Sequence, residues 1–290
     1  MAELKEIKSR IQSVRSTQKI TSAMMMVSSA NLRKTQDIIQ NLYPYEQKLS
    51  QLLHIFLRET PEFDSPFTRQ RPVQRVAIVA FSSNTSLAGR FNDNISHKLK
   101  AVTDKWISLG KENILVYPIG EKVTRAAKKL ELNVQGNYND ISAKPKYDEA
   151  QKIAAELMEQ FRQGTIDRVE LIYHHFQNKG AQIVVHEPFL PIELKPHVNG
   201  DAALDYIVEP DAEIIMAQLI PKVLKLKLFT THIDSVTSEH AARMMAMQIA
   251  TDNADNLIDE LTLEYNKLRQ QSITNELLDI VSGSFGLTSG

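Results

Sequence analysis

Apolar and small residues recur at alternating steps of four and three at both ends of this chain. From Lys222 to Ser282, 61 residues pass without Pro or Gly. In that stretch Ile233, Thr237, His240, Met244, Met247, Thr251, Ala254, Ile258, Leu261, Tyr265 and Leu268 fall on one ladder. Eight of these eleven positions are apolar when Ala254 and Tyr265 are counted. Such spacing lays residues along one stripe of a helix, the seam of a coiled coil. At about 1.5 Å per residue the stretch would run roughly 90 Å, too long for the core helix of a compact domain. A seam needs a partner, and a second ladder stands at the other end. Leu4, Ile7, Ile11, Val14, Gln18, Thr21, Met25, Ser28, Leu32, Thr35, Ile39 and Leu42 follow the same rule, resuming past Pro44 as Leu49, Leu53 and Phe56. The pattern predicts an N-terminal helix over 1–57, with a kink where Pro44 removes a backbone donor. Gln18, Thr21, Ser28 and Thr35 make its middle polar, which costs stability and fixes register.

Between the ladders the period changes. Thr60-Pro61, Ser65-Pro66 and Arg71-Pro72 mark a linker. Val76–Phe81 reads as a buried strand, followed by a helix at 92–109, a strand at 114–119 and a helix at 121–132. A helix at 147–162, a strand at 168–176 and a last strand at 182–187 complete the series. Strands alternating with helices predict a Rossmann-like, mostly parallel α/β domain. Pro188 to Pro196 is expected to leave the sheet, and 205–210 to be a short extended piece before the last helix. The expected organisation is an N-terminal coiled-coil helix at 1–57, an α/β domain at 73–200 inserted between the helices, and a C-terminal coiled-coil helix at 209–286.

Charge supports the pairing. Residues 1–43 carry seven Lys/Arg against three Asp/Glu, and residues 222–290 carry six against nine. Opposite signs favour one helix lying on the other, although each exposed pair contributes only about 0.5 kcal/mol. The lengths differ, so the C-terminal helix should overhang its partner. Its far end, with Leu277, Leu278, Ile280, Val281, Phe285 and Leu287, is apolar and calls for cover by another protein. The net charge of -1 makes nucleic acid an unexpected partner. The absence of cysteine excludes disulfides and thiolate chemistry. No apolar run reaches the roughly 18 residues of a membrane span, so membrane association is expected to be indirect. Glu3 and Glu6 argue against a transit peptide, and the N-terminus reads as mature sequence of a bacterial cytoplasmic compartment.

Candidate chemistry is sparse. Ser82–Arg90 follows a strand and precedes a helix, a place where an anion can sit. The chain has no G-x-G-x-x-G and no G-x-x-x-x-G-K-[ST], so a phosphate site there is the less favoured reading. His174 and His175 should point to opposite faces of their strand, which suits a metal badly. Asp252–Asn256 lacks the turn glycine of a calcium loop and reads as a solvated helix face. With no nucleophile–base pair in view, the residues argue against an enzyme, and no cofactor or metal is expected. Met24–Met26 and Met244, Met245 and Met247 cluster at the two ends, and antiparallel pairing could bring them level. Consecutive methionines cannot all face one seam, so some should point outward.

Three separated runs carry a family resemblance. Ser13–Lys34 (SVRSTQKITSAMMMVSSANLRK), Ser238–Asn253 (SEHAARMMAMQIATDN) and Tyr265–Gly283 (YNKLRQQSITNELLDIVSG) resemble the gamma subunit of F-type ATP synthases of the bacterial type. A fourth, Ser86–Asn92, is similar to that family's Gly-Leu-Cys-Gly-Gly-Phe-Asn motif, with Ala88 for the Cys and Ser86 and Arg90 for two of the glycines. After Gly283 the family's Ala-Ala-Ala becomes Ser-Phe-Gly. The resemblance implies a central rotor shaft standing in a ring of alpha and beta subunits, with its α/β domain beside the epsilon subunit and the c ring. Proton flow through the c ring would turn the shaft, which would drive each catalytic beta subunit through its nucleotide states. It implies a peripheral location on the cytoplasmic face of the bacterial inner membrane, held through the complex.

By the same resemblance Lys19 and Met24 face the beta subunits' acidic lever, with Arg243 near them. Arg269, Gln270, Thr274 and Glu276 belong to the upper contact region, and Tyr206 and Glu209 to the foot on the c ring. The rival readings are a non-rotary coiled-coil scaffold with an α/β binding domain and, further off, an α/β enzyme that its helices dimerise.

Overall fold

The computed structural model describes residues 2–59, 65–192 and 211–288. Two long helices, α1 (Ala2–Glu59) and α6 (Ala212–Thr288), bracket all other elements. Each contains one proline, Pro44 and Pro221, and continues through it. All twelve ladder positions of α1 up to Leu42, and all eleven of α6, are buried or half-buried. The apolar period therefore found its cover. The chain divides into two compact units, Met1–Ser28 with Met244–Gly290, and Ser29–Arg243.

The first unit is an antiparallel helix pair. Gln18 Nε2 donates to Asp255 Oδ1 at 3.0 Å, and the Thr21 and Thr251 hydroxyls meet at 2.8 Å in the buried seam. Numbers rise on α1 as they fall on α6, and that register sets Met25 level with Met247. Met247, Thr251, Ala254 and Leu261 are buried along α6, while Met26 and Met245 point outward. Asp252, Asn253, Asp255 and Asn256 lie on the exposed face. From Ile273 to Val281 every residue of α6 is exposed, among them Leu277, Leu278 and Ile280.

The second unit is an α/β fold built onto the inner stretches of the two helices. Strands β1 (Val76–Phe81), β2 (Ile114–Ile119), β3 (Asn133–Val134), β4 (Arg168–Asn178) and β5 (Ala181–Leu190) form one sheet in the order β3-β2-β1-β4-β5. The first four are parallel, with Val76 opposite Ile114 and Arg168, and β5 is antiparallel to β4. Helices α2 (Phe91–Trp106) and α3 (Glu121–Lys129) line one face through Ile95, Leu99, Val123 and Ala127. The other face packs on α5 (Tyr147–Arg162), on Leu53 and Leu57 of α1, and on Met216, Ile220, Val223, Leu224 and Leu228 of α6. Strand β1 is buried throughout, as a central strand covered on both faces must be.

Local chemistry corrects several expected boundaries. The last strand extends to Leu190 and includes Pro188, because an edge strand tolerates a residue without an N–H. The register slips between Val169 and Glu170, so that Pro188 rather than Phe189 stands opposite Glu170. The second helix ends at Trp106 and passes into 3-10 turns that close on Gly110. Strand β3 and helix α4 (Asn139–Ser142) are too short to show a period and were not expected. The extended piece expected at 205–210 lies outside the described residues.

Leu32 on α1 is 1% exposed, whereas Ile38, less than two turns on, is 40% exposed. Leu32→Ala should lower stability by about 2–5 kcal/mol, the cost of a core cavity. Ile38→Ala should stay within about 0.5 kcal/mol. Chemical denaturation of the two variants checks the contrast.

Candidate functional site: helix faces and a filled crevice

In open α/β sheets ligands bind outside the carboxyl ends of the strands, where the strand order reverses. Here that point lies between β1 and β4. The loop that leaves β1 is Ser82–Arg90, and its polar groups are turned on one another. Ser82 N–H donates to Ile119 O at 2.8 Å, and Ser83 N–H to Asn92 Oδ1 at 3.1 Å. Ser82 Oγ and Asn84 Oδ1 accept the Val123 and Glu121 N–H groups, which caps α3. Gly120 precedes that helix at φ +115°, and a Cβ there would lie 2.1 Å from Ser82 O. The Ser82 and Ser83 N–H groups, the first that an anion cradle at this point would use, are thus committed to other atoms of the chain.

The space beyond is filled by side chains. His174 on β4 is buried and stacks on Phe91, ring centroids 4.2 Å apart. Its carbonyl accepts from Ser238 Oγ at 3.2 Å. His232 lies against Phe81, centroids 5.4 Å apart. Arg243 bonds the Ser86 carbonyl and pairs with Glu239 at 2.7 Å. Residues 230–239 of α6 are buried throughout, although eight of the ten are polar or charged. Within this stretch the Thr230 and Thr237 hydroxyls donate back to the carbonyls four residues earlier. Asp234 reaches outward instead. Its Oδ1 accepts the Phe176 N–H at 2.7 Å, and its Oδ2 accepts the Tyr43 hydroxyl at 2.5 Å and lies 2.7 Å from His175 Nδ1. Burial, then the neighbouring Asp234 carboxylate, pushes the Tyr43 hydroxyl far up, so it stays protonated and donates.

The sequence-predicted contact residues are dispersed. Lys19 is exposed and Met24 half-buried on α1. Arg269, Gln270, Thr274 and Glu276 are exposed on α6 within two turns of one another. Arg243 is only 8% exposed, its guanidinium held by Glu239 and the Ser86 carbonyl. Tyr206 and Glu209 lie outside the described residues. As expected, His174 and His175 part company, His174 inward and His175 toward solvent. Among the described residues no group of three or more His, Asp or Glu is arranged to hold a metal ion. The Tyr43, Asp234 and His175 cluster was missed. Its one trace in the sequence is the polar run from Thr230 to His240 inside an apolar-period helix.

An antiparallel helix pair whose two helices come from the ends of one chain, and an α/β fold encoded between them, define an intramolecular coiled-coil protein with an α/β insertion. Residues 3–287 match the family model described as ATP synthase. An ATP synthase gamma chain of Bacteroides fragilis is 54% identical over 288 residues, covering 98% of this chain and 99% of that one. One from Flavobacterium johnsoniae is 45% identical, covering 99% of each. Among solved structures, a chain of the Euglena gracilis mitochondrial ATP synthase aligns with TM-score 0.66 at 16% identity, over all of this chain and 96% of its own. One from the central stalk and c-ring of the Tetrahymena thermophila enzyme aligns with TM-score 0.57 at 21% identity, over 80% and 99%. These two share the fold. The chain belongs to the ATP synthase gamma-chain family, and its function is that of the family's rotor subunit.

The buried imidazoles make stability depend on pH. Burial lowers His174 to about 4, and lowers His232 to about 4 against a smaller opposite pull from the Ser142 backbone. Burial and then Arg243 bring His240 to about 4. All three are neutral in the fold but protonate near pH 6.5 when it opens. Their contribution is complete above about pH 6.5 and is lost as pH falls from there toward 4. Thermal unfolding between pH 7.5 and 4.5 should show that decline, and His174→Phe, which keeps the stack on Phe91, should make it shallower.

Proposed function

We infer that this chain is the turning shaft of a rotary ATP synthase and carries no chemistry of its own. The observation that carries the reading is the antiparallel helix pair. Its seam is closed within the chain at Thr21 and Thr251, while its outer faces and the end of α6 remain exposed. The filling of the β1–β4 crevice by the chain's own side chains supports the non-catalytic part. The mechanism needs only differential contact. A shaft with two unlike helices presents a different face to each surrounding subunit as it turns, and only such differences can bias a neighbour's conformational equilibrium.

In this reading the alpha and beta subunits surround the helix pair, Lys19 and Met24 face the beta subunits, and Arg269, Gln270, Thr274 and Glu276 meet the ring around the end of α6. Tyr206 and Glu209 meet the c ring, and the epsilon subunit sits on the α/β fold. Arg243 supports the contact from inside, since its guanidinium is already bonded. Proton flow through the c ring supplies the torque. No described helix is long and apolar enough to cross a membrane, and the reading holds the chain to the cytoplasmic face of the inner membrane through its partners.

Tagged chain drawn from membranes should bring down an ATPase assembly with alpha, beta, epsilon and c subunits, and should hydrolyse no ATP once purified alone. Recovery of the chain without an ATPase would favour the scaffold reading. Met24→Lys should leave the complex assembled but reduce proton pumping per ATP hydrolysed, and unchanged pumping in membrane vesicles would remove Met24 from the contact.

A further inference from the structure

The buried polar stretch of α6 is not explained by stability. Asp234 is 1% exposed, and taking a carboxylate out of water is costly even when it is well bonded. Well-packed apolar residues in such places are commonly as stable or more so. What a carboxylate supplies, and apolar contact does not, is direction. Burial of apolar area is non-directional, so helices packed only by it resist separation better than rotation or sliding. A hydrogen bond weakens steeply with angle. Asp234 makes three polar contacts, and none is to its own helix: Tyr43 on α1, the His175 ring on β4 and the Phe176 N–H on β4. One turn on, Ser238 reaches the His174 carbonyl. Both long helices and the sheet are thus tied at one point, beyond the apolar patch formed by Leu53, Leu57 and residues 216–228.

We propose that Asp234 is a positioning residue of the rotor, a directional pin that fixes the rotational setting of α1 and α6 against β4 so that torque along the helices enters the sheet without slip. The inference rests on the shaft reading above. Tyr43 and His175 are the arms of the pin, and the Phe176 N–H is its fixed anchor in the backbone.

The test uses the full complex in inverted membrane vesicles, with ATP hydrolysis and ATP-driven proton uptake measured on the same preparation. Asp234→Leu combined with Tyr43→Phe removes the carboxylate and the hydroxyl it would orphan. This variant should assemble and unfold within a few degrees of the wild type. Uptake per ATP hydrolysed should fall by roughly threefold, within the range by which residues away from the ligand sites modulate coupling. An unchanged ratio in the assembled variant overturns the proposal, as does an equal loss of hydrolysis and uptake, the mark of a merely structural role. Should the double variant not assemble, Tyr43→Phe and His175→Leu each remove one arm. A smaller fall in the ratio in both supports the pin, and no fall in either overturns it. If wild-type vesicles carry no ATPase containing this chain, the shaft reading fails first, which separates the two outcomes.

Discussion

A helix of 77 residues presents an apolar stripe that it cannot cover with itself. The cover must come from elsewhere, and here α1 supplies it. That single requirement shapes the rest of the chain. If the two ends are to lie antiparallel, the residues between them must leave α1 and return to α6 from nearly the same place. A wholly parallel sheet would release the chain at its carboxyl edge, on the side opposite to where it entered. The antiparallel β5 reverses the direction and brings the chain back. The return is closed by a hydrogen bond from Ile192 N–H, just after β5, to Phe67 O, before β1, at 2.8 Å. The antiparallel edge strand thus ends on the side of the sheet where β1 began, as the pairing of the chain's two ends favours.

Two kinds of contact hold α6 within the second unit, and they do different work. Met216 to Leu228 bury apolar area against the sheet, α1 and α5, and supply most of the attraction. Residues 230–239 contribute bonds of fixed direction at a desolvation cost. A comparable division is seen at Glu170 on β4. Burial works against its ionisation, yet hydrogen bonds from His186, Arg168 and Trp106 outweigh burial and hold it at about 2. In both places a buried carboxylate gathers donors from more than one element, Asp234 from α1 and β4 and Glu170 from α2, β4 and β5.

The apolar period made the two long helices, their seam and their antiparallel pairing legible, because each position repeats its message over many turns. The α/β alternation was legible for the same reason in β1, β2 and α5. Short elements such as β3 and α4 offered no period to read. Pro188 misled because its meaning depends on whether its strand is an edge, which is a property of the sheet and not of the segment. The contact role proposed for Lys19 and Met24 rests on resemblance, since an exposed lysine and a half-buried methionine on a helix carry no local mark of function. The Asp234 cluster was hidden for a different reason. Its partners stand 191 and 59 residues away in sequence, and only the tertiary fold brings Tyr43 and His175 to one carboxylate.

The α/β fold raises a question that its sheet order answers. A doubly wound sheet leaves a crevice where its strand order reverses, and most such folds use it for a ligand. In this chain the crevice is where helix and sheet must be fastened. The Ser82–Arg90 loop spends its donors on Ile119 and Asn92, His174 stacks on Phe91, and Ser238 and Arg243 reach across from α6 to the carbonyls of His174 and Ser86. At this crevice the first N–H groups of the loop and the His174 and Ser86 carbonyls are matched by groups of the chain itself. A loop built to change partners would need donors in reserve. This one has matched the Ser82 and Ser83 N–H groups and the Ser82, Ser83 and Asn84 side chains within the chain, which suits a fixed joint.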